Sequence, residues 1–316
     1  MNYKYIFYAD GNHGTGMGHL FRSKNLVNNL NIKNESIFLY RNDFQKKFYI
    51  ENDLKNNQII DYKSHGDGSY YFFDTKKNFT QEIDFLNAPK SNSISIDNFT
   101  NARNYCKYEV YPSFYFEDKI SITPDKNIYS GYKFSILNQK LIQSNLMRKT
   151  RDKITISFGG EDPNNLTLKV LSSIEDKEVL DRLLVILGPK YNFPIDLLTK
   201  FISEKQITKN PSNVYSIFTR SICVITALGV TLQELLRLNT PIILVNNYDE
   251  DLIDIKRIKN FCEASMNKNY FFHVGSYKKL DELLLSNSLY QSRKYDFKSK
   301  FKFQEMGASW NLSKML

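Results

Sequence analysis

A glycine-rich segment that ends in a histidine follows the first apolar run of the chain. It covers Gly11–His19 and reads GNHGTGMGH. Glycines permit close backbone approaches that a Cβ would block, and free amides at the start of a following helix suit a phosphate or another anion. The spacing matches neither the GxGxxG dinucleotide pattern nor the P-loop, which ends in Gly-Lys-Ser/Thr. The segment is therefore another kind of anion-binding turn or a purely structural tight turn.

His19 is the residue of this segment best suited to catalysis. A neutral imidazole, with a reference pKa of about 6.5, is an effective general base at cellular pH, and the positive end of a helix favours the neutral form. By position alone, a helix-capping or surface histidine is equally consistent. Arg22 lies one turn further on the same helix face, where it can contact a phosphate or pair with an acid. The remaining histidines lack metal-ligand spacing and are expected at the surface: His13, His65 and His273.

Two strand-to-helix turns in the second half of the chain repeat this arrangement. In Gly159–Asn165 (GGEDPNN), the glycines let the chain pass close to a ligand, and Asp162 is expected to cap the next helix. In Thr226–Glu234 (TALGVTLQE), Thr231 and the local amides can hold a diphosphate, and Glu234 can accept hydrogen bonds from ribose hydroxyls. Glu234 can equally be a carboxylate that stabilises the first turn of its helix.

Parallel sheets are needed to bring such turns together. Near-continuous apolar runs alternate with helical patterns, which is typical of parallel strands covered on both faces. Strands are predicted over 5–9, 36–40, 59–60, 93–96, 154–158, 183–187, 222–225 and 242–245, and helices over 19–30, 79–86, 162–174, 231–238 and 252–261. The region 105–132 has no clear assignment. The prediction is an α/β protein of two Rossmann-like domains, joined by the polar segment 140–153, with ligands in the cleft that the domains face.

Composition excludes several classes of function. The chain has 316 residues, 41% of them hydrophobic, which is enough for two cores. Its net charge of +9 comes from lysines interleaved with acids, so nucleic acid is not an expected partner. The cysteines are far apart in sequence, which disfavours a disulfide framework or a zinc site: Cys106, Cys223 and Cys262. The expected location is cytoplasmic, since we see no cleavage-type segment at the start and no stretch of membrane-spanning length.

Several motifs resemble those of the pseudaminic-acid pathway hydrolases, which remove UDP from a diacetamido-trideoxy-altrose nucleotide sugar. The opening motif corresponds to Ala9–Gly11, Gly16–His19 and Arg22. Further along, the resembling segments keep the family's order: Ile96–Asn98, Gly131–Leu137, Phe158–Pro163, Leu166–Lys169, Thr226–Glu234 and Met306–Ala308.

The resemblance implies a GT-B fold and a hydrolytic reaction. It implies an N-terminal domain over 1–148, a nucleotide-binding domain over 149–300 and a C-terminal helix over 301–316 that packs back on the first domain. His19 would activate water for attack on the anomeric carbon, with inversion and release of UDP, without a metal or another cofactor. The implied substrate- and nucleotide-binding residues are Asp10, Gly16, Gly18, Arg22, Gly159, Gly160, Leu228, Gly229, Thr231, Glu234 and Asn246.

The chain departs from the family pattern at three places. Leu228 replaces the first glycine of a Gly-Gly pair, Asn246 and Asn247 follow the next strand without the family's glutamine, and Tyr8 replaces an arginine. Three hypotheses follow: a UDP-sugar hydrolase in surface-glycan synthesis, a glycosyltransferase with a glycan or lipid-linked acceptor, and a non-catalytic sugar-nucleotide binding module. The sequence leaves open the sugar, the base and the oligomeric state.

Overall fold

The chain folds into two compact units, one of residues 1–143 with 305–316 and one of residues 144–304. In this computed structural model the described residues are 4–12, 17–52, 54–64, 68–113, 125–143, 150–265, 269–295 and 307. Several expectations lie outside the described residues: those for His13, Gly16 and His65, for residues 144–149 of the linker, and for the C-terminal helix apart from Gly307. Gly307 donates its backbone N–H to the carbonyl of Tyr132 in the first unit, over 3.3 Å.

A seven-stranded parallel sheet forms the first unit. Its strands are β1 (Tyr5–Ala9), β2 (Ser36–Tyr40), β3 (Ile59–Asp61), β4 (Tyr70–Asp74), β5 (Ser93–Ile96), β6 (Tyr108–Tyr111) and β7 (Asn127–Ser130). The α-helices described in this unit are α1 (Gly18–Leu30), α2 (Asp43–Glu51), α3 (Thr80–Phe85) and α4 (Gln139–Gln143). The strands lie in the order β3-β2-β1-β4-β5-β6-β7.

A six-stranded parallel sheet forms the second unit. Its strands are β8 (Lys153–Ser157), β9 (Leu183–Leu187), β10 (Ile207–Lys209), β11 (Ser221–Thr226), β12 (Ile242–Asn246) and β13 (Phe271–Ser276). The α-helices described here are α5 (Leu166–Ser172), α6 (Lys177–Arg182), α7 (Val214–Phe218), α8 (Val230–Arg237), α9 (Asp251–Ser265) and α10 (Glu282–Ser292). The order β10-β9-β8-β11-β12-β13 repeats that of the first unit.

Apolar side chains on both faces of each sheet explain why the strands read as continuous apolar runs. In the first unit Phe7 stacks between Phe38 and Phe72, with ring centroids 5.3 and 4.5 Å away. The opposite face packs a second cluster around Tyr8 and Phe73. This two-sided burial confirms the predicted parallel α/β architecture.

The strand β4 and the helix α2 were not predicted from the sequence. The β4 run Tyr-Tyr-Phe-Phe-Asp is aromatic rather than aliphatic, and it lies between polar segments. The helix predicted from residue 162 instead begins at Leu166, because the Asp162 carboxylate accepts the backbone N–H groups of Leu166 and Thr167 at 2.8 and 2.9 Å. The same helix ends at Ser172, before Ile174. Asp162 is therefore the capping residue that the sequence predicted.

Each sheet has one point at which the strand order reverses. It lies between β1 and β4 in the first unit and between β8 and β11 in the second. At such a point the connections leave the sheet in opposite directions and open a crevice at the carboxyl ends of the strands, where open α/β sheets bind ligands. His19 is the second residue of α1, the helix after β1, and the turns at Gly159 and Gly229 follow β8 and β11. The glycine-rich turns therefore lie at the positions where ligands are expected.

Candidate active site and nucleotide-binding loops

His19 is paired with a fully buried aspartate at the reversal point of the first sheet. Its Nδ1 lies 2.7 Å from Oδ1 of Asp74, the last residue of β4. The His19 side chain keeps 14% of its surface exposed, whereas that of Asp74 has none. An imidazole held on one side by a carboxylate and open on the other has the geometry of a general base.

Arg22 holds the other edge of the Asp74 carboxylate. Its Nε donates to Oδ2 over 2.9 Å, and its Nη2 donates to Oδ1. Its Nη1 donates to Oδ2 of Asp97 over 2.8 Å. Of the two roles that the sequence left open for Arg22, the structure shows the acid pair. The guanidinium uses all three of its nitrogens on these two carboxylates, so we assign it a positioning role rather than a phosphate contact.

The charges in this cluster stabilise one another. Burial alone would raise the pKa of Asp74, but the Arg22 guanidinium and the hydrogen bonds from Arg22 and His19 hold it below its usual value. Burial opposes the charge of Arg22 as well, yet Asp74 and Asp97 raise its pKa above the ordinary value. Both groups are therefore ionised at neutral pH, and Asp74 is a strong hydrogen-bond acceptor.

The ionised carboxylate of Asp74 determines which nitrogen of the His19 imidazole carries the proton. Arg22 Nη2 also lies 3.0 Å from His19 Nδ1, but it can donate there only if that nitrogen carries no proton. The charged carboxylate is the stronger partner, so Nδ1–H donates to Asp74 and the lone pair is on Nε2. The arrangement thus prepares Nε2 to accept a proton.

Two further acids follow β1 and β5, the strands on either side of β4 in the first sheet. Asp10 follows β1, and its Oδ2 accepts from the hydroxyl of Thr75 over 2.6 Å. Asp97 follows β5 with a positive φ of 55°, which is a strained conformation for a residue other than glycine. Its Oδ1 is buried without a hydrogen-bond partner. Strain of this kind persists where the surroundings determine it, and here Asp97 holds Arg22.

The Gly159–Gly160 turn packs closely against the segment that follows β9. Gly159 has a φ of +79°, a conformation that favours glycine. The backbone N–H of Lys190 donates to the carbonyl of Gly160 over 2.9 Å. A Cβ on Gly188, which follows β9, would lie 2.2 Å from the Gly159 carbonyl oxygen and 2.4 Å from that of Gly160. Gly188 is thus a residue of this site that the sequence did not indicate.

We predict that alanine at Gly188 lowers the stability of the protein, whereas alanine at Gly229 lowers its nucleotide affinity. Gly188→Ala should lower the free energy of unfolding by about 1–3 kcal/mol, because the new methyl group meets backbone atoms that cannot move independently. At Gly229 the backbone is extended, and a Cβ would meet nothing within 4 Å. Gly229→Ala should therefore keep its stability and lose nucleotide affinity. Urea unfolding and calorimetric titration with UDP measure the two effects, and an unchanged urea midpoint for Gly188→Ala would contradict the packing argument.

The loop before α8 presents the remaining predicted nucleotide-binding residues. Gly229 is exposed, and Leu228 and Thr231 are half-buried. Glu234, one turn into α8, is half-buried and accepts from the Tyr215 hydroxyl over 2.9 Å. Burial raises the pKa of Glu234 to about 7, and the bond from Tyr215 opposes that rise. Leucine at position 228 fits this loop without closing off Gly229.

Asn246 supports its loop rather than exposing its side chain. It is fully buried at the end of β12, and its amide donates to the carbonyl of Tyr248 over 3.0 Å. Its Oδ1 lies 3.0 Å from His273 Nε2, which is also 3.0 Å from the carbonyl of Gly275. His273, expected at the surface, is half-buried. Two acceptors at one nitrogen place the proton on Nε2, so His273 holds Asn246 in place.

Another arginine lies beside Tyr8, which stands where the resembling family has an arginine. Arg41, which follows β2, donates to the Tyr8 hydroxyl over 3.0 Å and pairs with Glu82 at 2.8 Å. Its guanidinium also lies 4.4 Å from the ring centre of Tyr62. This cluster retains a cation beside β1 that comes from a different strand.

The described residues hold neither a metal-ligating cluster nor a membrane-spanning helix. In the described ranges, no cluster of three or more His, Cys, Asp and Glu side chains is placed to hold a metal ion. Of the helices described, none combines the length and the apolar character needed to cross a membrane. All three cysteines are buried and unpaired, and burial raises the pKa of Cys223 to about 11, in agreement with an inert thiol.

Asp74, Gly188 and Tyr215 are the site residues that sequence reasoning missed. The sequence does contain a signal for Asp74: like Asp97, it is an acid at the end of an apolar run. Gly188 follows a predicted strand in the same way that Gly159 does. Tyr215 lies on a five-residue helix with no sequence pattern that points to Glu234.

Comparisons with known proteins agree with this description of the fold. No protein-family model matches the chain. A relative named "Uncharacterized protein MJ1062", from Methanocaldococcus jannaschii, is 27% identical over 319 residues. The match covers 87% of this chain and 64% of the relative, so the chain spans less than two thirds of that protein's length.

Three solved structures share both units. MurG of Acinetobacter baumannii has a TM-score of 0.56 at 10% identity, covering 93% of this chain and 95% of its own. UGT89C1 of Arabidopsis thaliana complexed with UDP scores 0.60 at 10% identity, covering 96% and 93%. CalG4, the calicheamicin glycosyltransferase, scores 0.54 at 10% identity, covering 98% and 95%.

The fold is GT-B. Two parallel α/β units of the same strand order, matched over nearly the whole chain, support that assignment. The solved structures with this fold include named glycosyltransferases, and the comparisons do not support the specific pseudaminic-acid hydrolase family that the motifs resemble.

Proposed function

We propose that the chain is a glycosyltransferase that uses a nucleotide sugar as donor, with His19 as the base that activates the acceptor. The observation that carries the proposal is the His19–Asp74 pair, with Nδ1 on the carboxylate and no hydrogen bond from a described residue to Nε2. The GT-B fold also supports this proposal, because solved structures with this fold include a named glycosyltransferase.

The proposed reaction uses Nε2 of His19 as the proton acceptor. An acceptor hydroxyl attacks the anomeric carbon of the donor sugar while Nε2 of His19 takes its proton. The bond between the anomeric carbon and the diphosphate oxygen breaks, and the diphosphate leaves with the electron pair. Asp74 stabilises the imidazolium that forms, and Arg22 and Asp97 keep Asp74 in place.

The second unit supplies the groups suited to the nucleotide part of the donor. The exposed Gly229 and the half-buried Thr231 lie at the reversal point of its sheet, where backbone amides can bind a diphosphate. In this proposal, Glu234 accepts hydrogen bonds from the ribose hydroxyls. The solved neighbour UGT89C1 was crystallised with UDP, which makes UDP the first nucleotide to test.

Hydrolysis remains the second candidate, because a base that deprotonates an acceptor hydroxyl can also deprotonate water. The motif resemblance favours it, from Ala9–Gly11 through Thr226–Glu234. The comparisons favour transfer, since the structural neighbours include glycosyltransferases by name. The two reactions differ only in the nucleophile, so they are separated by the requirement for an acceptor.

We expect release of UDP from a UDP-sugar to depend on an added acceptor. The purified chain is incubated with a panel of UDP-sugars, with and without glycan and lipid-linked acceptors, and UDP is measured by a coupled assay. Acceptor-dependent release supports transfer. Equal release without an acceptor would identify a hydrolase, and nucleotide binding without turnover across the panel would identify a binding module.

A further inference from the structure

Glu234 has an unusual environment for an acidic side chain. It is half-buried on α8, and among the described residues no lysine or arginine forms an ion pair with it. Its hydrogen-bond partner is the Tyr215 hydroxyl, which lies 2.9 Å from Oε1. A carboxylate removed from water and supported by one neutral donor costs free energy unless something else completes its hydrogen bonds.

The titratable groups around Glu234 leave it without a compensating charge. Tyr215 projects from α7 and is itself half-buried, and burial together with Glu234 raises the pKa of its phenol well above the usual value. The single cation on α8 is Arg237, whose pKa burial lowers. β11, against which α8 packs, has Cys223 as its one titratable residue, and that thiol is uncharged at neutral pH.

The carboxyl group is consequently poised between its two protonation states. Burial raises the pKa of Glu234 to about 7, even though the Tyr215 hydroxyl favours the charged form. A ligand that donates hydroxyl hydrogen bonds to this side chain stabilises the carboxylate, because an ionised acceptor forms the stronger bond. A ribose offers two such donors on adjacent carbons.

We propose that Tyr215 is a positioning residue of the nucleotide site: it holds Oε1 of Glu234 so that the other carboxylate oxygen receives the ribose hydroxyls, and nucleotide binding therefore releases the Glu234 proton. This inference rests on the proposed function, since it takes a nucleoside diphosphate as the ligand. The step is balanced, because the neutral acid becomes a hydrogen-bonded carboxylate and its proton goes to the solvent.

The direction of the pH effect follows from this exchange. Below pH 7 the nucleotide must displace a proton, and above pH 7 the carboxylate is already formed. UDP should thus bind about tenfold more tightly at pH 8 than at pH 6, since the ionised fraction of a group with a pKa near 7 rises about tenfold over that interval. Without the Tyr215 hydroxyl the pKa of Glu234 is higher, so the rise in affinity shifts to higher pH.

The test is calorimetric titration with UDP and with 2′,3′-dideoxy-UDP at pH 6, 7 and 8, in two buffers that differ in ionisation enthalpy. The dideoxy compound has the same phosphates, so it reports the titration of UDP itself. Glu234→Gln should remove the difference between the two ligands in both pH dependence and proton release. Tyr215→Phe should weaken UDP binding several-fold at pH 6 and less at pH 8, because a higher pKa of Glu234 lowers its ionised fraction most at low pH. Tyr290→Phe, at an exposed tyrosine of the same unit, is the matched control.

The outcomes separate this inference from the function on which it rests. If UDP and its dideoxy analogue bind with the same pH profile, the role of Glu234 is overturned while nucleotide binding stands. If Tyr215→Phe weakens binding equally at every pH, Tyr215 is merely structural and its positioning role is overturned. If the wild-type chain does not bind UDP at all, the UDP donor of the proposed function fails, and the inference fails with it.

Discussion

Replacing His19 by alanine is expected to lower the rate of UDP release about 10³-fold, the usual scale for loss of a general base. The reason is that Nε2 is free to accept a proton when Nδ1–H is held by Asp74 at 2.7 Å, and alanine removes this group. Asp74→Asn should cost nearly as much, because the amide can donate to Nδ1 and stabilise the wrong tautomer. Initial rates with the donor and acceptor found in the panel measure both.

The control for this prediction is binding rather than turnover. His19→Ala should leave UDP affinity unchanged, whereas Glu234→Gln should weaken it, because the two residues belong to different units of the chain. Arg22 still holds Asp74 in this variant, so the melting temperature of His19→Ala should fall less than that of Asp74→Ala. A His19→Ala variant with wild-type turnover would refute the assignment of the base.

Asp74→Ala is expected to cost about 3–5 kcal/mol of folding stability, which is typical of breaking a buried ion pair by removing one partner. Arg22 would remain almost completely buried, with 11% of its side chain exposed, and only Asp97 would be left to balance its charge. The loss should appear as a lower urea midpoint with an unchanged slope.

An exposed pair of the same kind provides the comparison. Asp125 lies 3.0 Å from Lys90, with 61% and 51% of the two side chains exposed. Asp125→Ala should change the stability by no more than about 1 kcal/mol, because water screens such a pair. If the two alanine variants were destabilised equally, the buried cluster would not have the structural role that we assign to it.

Local patterns carried much of the fold prediction. Apolar strands, glycine turns and helix caps depend on neighbours within a few residues, so they can be seen in the chain itself. Asp162 illustrates this, because a carboxylate just before a helical pattern caps it wherever the helix lies. The aromatic strand β4 escaped notice because its run of Tyr and Phe does not separate clearly from a buried helix segment.

The sequence by itself determined that the chain would form parallel α/β units with glycine turns at strand ends, and that His19 would follow the first of these turns. Only the tertiary structure decided what His19 pairs with. Asp74 is 55 residues away, and it reaches the imidazole because β4 lies beside β1 in the register that aligns Asp74 with Ala9. Strand order arises from packing of the whole sheet, not from any local segment. For the same reason, the contacts of Tyr215 with Glu234 and of Gly188 with the Gly159–Gly160 turn could not be predicted from the sequence.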